Sequence, residues 1–288
     1  MKKNIYFFAY LEGWMSITIN SLLFVLKYWA GIATGSIAII ADAWHTLSDS
    51  LTSCVIIAGT KFSSKPADKE HPFGHGRTEL ICSMIIGIFL FLIAFNFVIG
   101  SIEKLKNHEA VFFGRFAIIV IIISIVLKEL LAQYSFWAGK KTKIRSLKAE
   151  AWHHRSDALS SLVILVGIFF NRYFWWIDGI LGIVVALLIA FTAYQILKET
   201  ISNLLGEKPD DELVKKLHEI CFRIVNRSLF IHHIHIHRYG HHSELTFHIK
   251  LPGEMKLGEI HDISLKIEKE IKEILNMEST IHTDSLNN

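Results

Sequence analysis

Charge and sulfur are what this chain has least of. Only 20% of its 288 residues are charged, against 51% hydrophobic and a mean hydropathy of +0.38, a balance that excludes an ordinary soluble two-domain protein. The three cysteines, Cys54, Cys82 and Cys221, are odd in number and lack C-x-x-C spacing. They exclude a disulfide framework and a thiolate zinc centre, and read as small buried hydrophobes. No G-x-x-x-x-G-K-[ST] occurs, so nothing points to nucleotide hydrolysis, and no H-E-x-x-H occurs to make an intramembrane metalloprotease; no enzyme is expected. No leader with a small-residue cleavage site precedes the first apolar run, so the N-terminus is expected to be retained.

What is there is clumped. Apolar stretches at 12–32, 36–60, 80–102, 112–137, 150–171 and 176–197 each come close to or exceed the ~20 residues that cross a bilayer, which predicts six transmembrane helices. Basic residues alternate by loop. Lys2 and Lys3, then Lys61, Lys65, Lys69 and Arg77, then Lys140, Lys141, Lys143, Arg145 and Lys148 crowd one side; the other has Lys104, Lys106, Arg115 and Arg172. The positive-inside rule puts both termini in the cytoplasm. The net charge of +3 is then topological, and no nucleic-acid partner is expected.

Hydropathy collapses after Lys198, and Gly206, Pro209 and an acidic helix start divide the chain into a membrane domain, 1–206, and a cytoplasmic domain, 207–288. In the second, 210–226 reads as a helix, 229–239 and 243–251 as strands about a turn at Gly240, 257–275 as an amphipathic helix and 279–284 as a last strand. The expected fold class is therefore an α-helical membrane bundle of six transmembrane helices plus a small α+β domain of order αββαβ.

One pattern occurs twice. "AWHTLSD" places His45 and Asp49, and "AWHHRSD" places His153 and Asp157, at i and i+4 on one helix face. An ionisable group facing lipid costs about 2.5–3.5 kcal/mol on insertion scales, so four of them should turn inward and meet. Two imidazoles and two carboxylates make a four-ligand set that suits zinc and related ions such as cobalt or cadmium better than magnesium or calcium. With no cysteine to close it, such a site is suited to releasing its ion. Two more clusters have metal-ligand chemistry. The loop "PADKEHPFGHGR" holds Asp68, His71 and His75, with Pro72, Gly74 and Gly76 to bend the chain. "FIHHIHIHRYGHHSELTFHI" holds seven histidines; strand alternation puts His233, His235 and His237 on one face and His232 on the other. His232 and His248 with His261, His282 and Asp284 form candidate cytoplasmic sites, while the part played by His233, His235, His237, His241 and His242 stays open.

The two H-x-x-x-D pairs, "PADKEHPFGHGR", six spans and a His-bearing C-terminal domain together resemble the cation diffusion facilitator family, over nearly the whole chain. The resemblance implies a homodimeric, proton-coupled exporter of divalent transition-metal cations working by alternating access. It implies a transport site at His45, Asp49, His153 and Asp157, a loop site at Asp68, His71 and His75, and cytoplasmic ligands at His232, His248, His261, His282 and Asp284. The C-terminal domain is then expected to be metallochaperone-like, of ferredoxin-like αββαβ order, and to dimerise. His45 stands where some members have Asp or Asn, which favours a zinc-like choice over manganese, and His233 stands where an acidic residue is frequent. The expected ion is Zn2+, with Fe2+, Co2+, Cd2+ or Ni2+ as alternatives, carried as cargo and as regulator; no catalytic cofactor is expected. Protons and the lipid bilayer are the other partners, and a bacterial inner membrane the expected location. A membrane metal sensor or storage protein, or a proton channel, are rival readings that binding without flux, or proton leak without metal, would identify.

Overall fold

The computed structural model of the protein describes residues 2–63, 65–142, 145–171, 173–227, 229–239 and 242–286, with the side chains of 2–7, 9, 52–63 and 145 excepted. Lys143, Arg172, Gly240 and His241, and the side chain of Cys54, therefore lie outside the described residues. Six long helices come first: α1 (Lys2–Thr34), α2 (Ile37–Ser63), α3 (Thr78–Lys106), α4 (Arg115–Thr142), α5 (Arg145–Phe170) and α6 (Ile177–Leu205). Among the described residues four stretches are long and apolar enough to cross a membrane: Tyr10–Thr34, Thr78–Lys106, Arg115–Thr142 and Ile177–Leu205. The sequence predicts six. The shortfall falls on the two helices with the repeated motif: α5 carries Lys148, Glu150, Arg155 and Asp157 in its first half, and the side chains of α2 are described only as far as Leu51.

By compactness the chain forms two units, Met1–Ile56 with Ser83–Leu197, and Ile57–Cys82 with Lys198–Asn288. In the first, Ile39, Leu90, Ile121, Ile164 and Ile189 are buried at the centre, while Ile85, Phe89, Leu92 and Phe95 of α3 point outward. Apolar side chains inside and outside, with backbone groups paired along each helix, is the arrangement acyl chains demand.

One end of this unit is tied by polar contacts. Gly35 takes a left-handed φ of 66° to end α1, and Ser36 Oγ caps α2 by accepting from Ile39 N at 3.1 Å. Asp178 at the start of α6 accepts from Ser36 Oγ, from Ile37 N at 3.1 Å and from Lys104 Nζ at 2.8 Å. Lys104, at the end of α3, also donates to Gly35 O. Close approach accompanies the knot: a Cβ on Gly182 would lie 2.5 Å from Ser101 Oγ, so only glycine lets α6 sit there.

The second unit carries α7 (Asp211–Val225), β1 (Ile231–Tyr239), β2 (His242–Leu251), α8 (Leu257–Leu275) and β3 (Glu278–Ser285), with sheet order β1-β2-β3. β1 and β2 are antiparallel, whereas β2 and β3 are parallel, a pairing that needs the crossover supplied by α8. β2 alternates cleanly: Leu245, Phe247, Ile249 and Leu251 are buried against Leu217, Ile220 and Cys221 of α7 and Ile267 and Ile271 of α8. Both helices end on left-handed asparagines, Asn226 and Asn276. β1 departs from simple alternation. His233 has φ 50° and the register shifts between His232 and His235, a β-bulge, so His232 and His233 both come against His248 instead of facing opposite ways. The loop before α3 packs on this sheet within the same unit, with Phe73 stacked on Tyr239 at 4.9 Å and Arg77 over the same ring at 4.2 Å.

Candidate metal centres

The repeated motif converges. Helical spacing of four brings His45 and Asp49 to one face of α2, and His153 and Asp157 to one face of α5. His153 Nε2 lies 3.4 Å from Asp49 Oδ1 and 3.8 Å from Asp157 Oδ2, and His45 Nε2 lies 3.7 Å from Asp157 Oδ1. Ligand atoms of Asp49, His153 and Asp157 fall within 4.8 Å of one another; His45 meets this group at Asp157. His153 is the open side, 45% exposed, while both carboxylates are nearly shut away at 8%.

A residue that the motif does not contain completes the group. Lys128 of α4, 1% exposed, donates to Asp157 Oδ2 at 2.6 Å and to Asp49 Oδ2 at 3.3 Å. A second buried lysine, Lys27 of α1, pairs with Asp42 Oδ2 at 2.8 Å and donates to Thr46 and Ser161. On the opposite flank Glu12 of α1 accepts from Ser135 Oγ at 3.0 Å and meets His154 Nε2 at 3.0 Å, with Glu150 close enough to share an ion. Sequence reasoning missed Lys128, Lys27, Asp42, Glu12 and His154. The signal was a lysine inside an apolar run, as in "IVLKELL" and "FVLKYWA", which in a membrane asks for a partner.

In the loop, Asp68 is the focus. Its Oδ1 accepts from the backbone N of Glu70 and His71, closing a tight turn, and its Oδ2 accepts from Lys65 Nζ at 2.9 Å. The rings of His71 and His75 lie 4.5 Å apart, each with a nitrogen within 3.7 Å of the carboxylate. The hydrogen bond from Lys65, then that from His71 N, hold the Asp68 carboxyl well below the usual carboxylate range.

In the C-terminal unit, sheet register makes a row. His232 pairs with His248 across β1 and β2, and His248 with His282 across β2 and β3. Asp284, two residues along β3, meets His232 Nε2 and His248 Nδ1 at 3.1 Å and His282 Nε2 at 3.4 Å. The hydrogen bond from His248 is the main cause of the depressed Asp284 pKa, with charge from His282 adding to it. His261 sits on the exposed side of α8 and joins none of these groups among the described residues. His242 instead meets Glu244 at 3.2 Å, near Glu278, on the wall of a cavity of about 420 Å3 that His75 and Phe73 also line. His233 and His235 approach each other at 6.5 Å between ring centres.

Five histidine-carboxylate groups with the spacing to hold a metal ion, on a helical bundle with membrane-length helices and on a small α/β unit, point to a membrane protein that handles metal cations. Comparison with known proteins agrees. Residues 13–205 match the "Cation efflux transmembrane domain" and residues 209–286 the "Cation efflux protein, cytoplasmic domain". The chain is 36% identical over 272 residues to an uncharacterized transporter of Methanocaldococcus jannaschii, covering 94% of this chain and 96% of that one. It is 28% identical to the manganese efflux system protein MneP of Bacillus subtilis, over 90% of this chain and 89% of that one. It is 29% identical to the magnetosome protein MamB of Magnetospirillum gryphiswaldense, over 88% and 85% respectively. The chain belongs to the cation diffusion facilitator, or cation efflux, family: a multi-pass membrane protein of a family that transports metal cations and is not a family of enzymes.

Proposed function

We propose that this protein exports a divalent transition-metal cation, Zn2+ first, from the cytoplasm in exchange for external protons, by alternating access of a seat made of His45, Asp49, His153 and Asp157. The observation that carries it is the meeting of Asp49, His153 and Asp157 from two helices, with ligand atoms within 4.8 Å and one open side. Two imidazole nitrogens with two carboxylate oxygens favour zinc-like ions over hard ones; Fe2+, Co2+, Cd2+ and Ni2+ are the competing cargoes, and a manganese efflux protein among the relatives makes Mn2+ the other ion to assay.

The proton coupling follows from ligand chemistry. An imidazole binds metal only when neutral and a carboxylate only when ionised, so cargo entry releases protons and external protons displace cargo. In this reading all six long helices span the membrane, both termini are cytoplasmic, the membrane is a bacterial inner membrane, and the division falls near 206. The loop group (Asp68, His71, His75) and the cytoplasmic group (His232, His248, His282, Asp284, with His261 apart) are regulatory metal sites, and the cytoplasmic domain joins a second copy in a homodimer. The test is Zn2+ and Mn2+ uptake into proteoliposomes holding a pH dye, comparing wild type with His153→Ala. Metal entry with proton exit, lost in the variant, is expected; binding without flux in either protein would make it a sensor instead.

A further inference from the structure

We infer that Lys128 is a tethered counter-cation of the cargo seat: its ammonium bridges Asp49 and Asp157 in the metal-free protein and is expelled by the entering divalent ion. The inference rests on the quartet being the cargo seat, and adds a residue of α4 that carries no metal-ligating chemistry.

The case is a contrast among three buried lysines. Lys27 is held by one carboxylate, Asp42, and by the hydroxyls of Thr46 and Ser161. Lys104 is likewise held by one carboxylate, Asp178, and a backbone carbonyl, with Asp178 further occupied by Ser36 and Ile37. Among the described residues neither Asp42 nor Asp178 forms an ion pair with a histidine, and both lysines join helices. Lys128 has a different setting. Its Nζ lies between two carboxylates, from α2 and α5, and each of these also faces a histidine of the repeated motif. Asp157 Oδ2 is within 2.6 Å of the ammonium and 3.8 Å of His153 Nε2, so the ammonium and a metal ion shared by those groups would draw on the same oxygen.

Charge decides whether both cations can stay. Two ionised carboxylates and one ammonium leave a single negative charge; a divalent ion added beside the ammonium would leave a net positive charge in a buried site. With the ammonium withdrawn, ion and carboxylates balance, the arrangement that burial favours. The four-carbon stem of lysine lets the head move without the helix moving. Lys128 is also tied to the fold, so it competes at a high effective concentration that no free cation matches. Its return to the carboxylates helps cargo leave, and it keeps the seat from facing the membrane interior with two uncompensated charges.

The test uses the full chain carrying Asp68→Asn, Glu244→Gln and Asp284→Asn, so that the groups outside the bundle are weakened and binding reports the bundle. Lys128→Gln keeps a hydrogen-bond donor on the carboxylates without the charge; Lys128→Met removes both, and Lys128→Arg keeps the charge. In lipid nanodiscs, the Kd for Zn2+ is expected to fall about tenfold or more in Lys128→Gln, within the usual range for coupled sites, and to stay near the parent value in Lys128→Arg. In proteoliposomes KM and kcat should fall together in Lys128→Gln, tighter cargo with slower return. Lys128→Met is expected to unfold at lower temperature than its parent without metal, and to regain most of the loss when Zn2+ is added. Unchanged or weaker Zn2+ binding by folded Lys128→Gln would overturn the inference, as would Lys128→Arg behaving like Lys128→Gln. Asp49→Asn separates the two levels: if it binds and carries Zn2+ as its parent does, the quartet is not the cargo seat and both readings fall.

Discussion

His232 and His248 are direct partners across an antiparallel ladder, and both reach the same oxygen of Asp284 at 3.1 Å from a third strand. Three strands thus present one carboxylate between two imidazoles. Asp284→Asn is expected to weaken Zn2+ binding by the cytoplasmic group at least about tenfold, as loss of a coordinating or orienting carboxylate does. Calorimetry on the full chain, comparing His153→Ala with the same chain that also carries Asp284→Asn, would measure it as the difference the second substitution makes. Equal heats and affinities in the presence and absence of Asp284→Asn would remove this group from the metal sites.

The Asp68 carboxyl is held below its ordinary pKa of 3.8 chiefly by Lys65. A depressed carboxylate favours the folded loop fully above the ordinary value, and that contribution is lost as pH falls through the folded-state value. Carbon-13 NMR of labelled aspartate should find Asp68 still ionised at pH 3.8 and should find its midpoint moved upward in Lys65→Met. A midpoint unaffected by Lys65→Met would mean that the turn's backbone N–H groups alone set it.

Lys27 and Asp42 are buried together at 2.8 Å, so removing one leaves the other charged and unpaired. Lys27→Met should cost about 3–5 kcal/mol of stability, and Lys27→Met with Asp42→Leu should recover most of it. Thermal unfolding followed by size-exclusion chromatography reads both. A single variant as stable as wild type would show that the pair is solvated or loosely held.

Cys221 lies in the core between α7 and β2, and burial pushes its thiol up to about 12. Thiolate is the reactive form, so the neutral, enclosed thiol should resist maleimide at pH 8 until denaturant is added. Protein carrying Cys54→Ser and Cys82→Ser isolates this signal in a labelling time course. Prompt labelling of the folded protein would mean that the α7 side of the core opens readily.

The elements of the C-terminal unit were legible because their periodicities differ: α8 occupies Leu257–Leu275, as its amphipathic pattern predicts, and β2 alternates strictly. The bulge was not. His233 looks like its neighbours in sequence, and only the pairing with β2 reveals that its backbone turns. In the bundle, i and i+4 spacing put each His and Asp of the repeated motif on one helix face, and the cost of ionisable groups in lipid is what predicted that the two pairs meet. Lys128 could not be read the same way, because its partners are 79 and 29 residues distant, and spacing within α4 carries no information about α2 or α5. The candidate groups at Glu12 with His154, and at His242 with Glu244 and Glu278, share that character: packing or strand register assembles each, although His242 already stands out in sequence as one of seven clustered histidines.

Asp178 fastens the α1–α2 turn, the last turn of α3 and the first of α6 at a single point, whereas His45 and Asp49 stand roughly 14–20 Å farther along α2 by helical rise. A rod fixed at its tip moves most where it is farthest from the pin. Small tilts of α2 at Ser36 are therefore magnified at Asp49, and sliding of α2 along its axis would break the Ser36 and Ile37 contacts with Asp178 together.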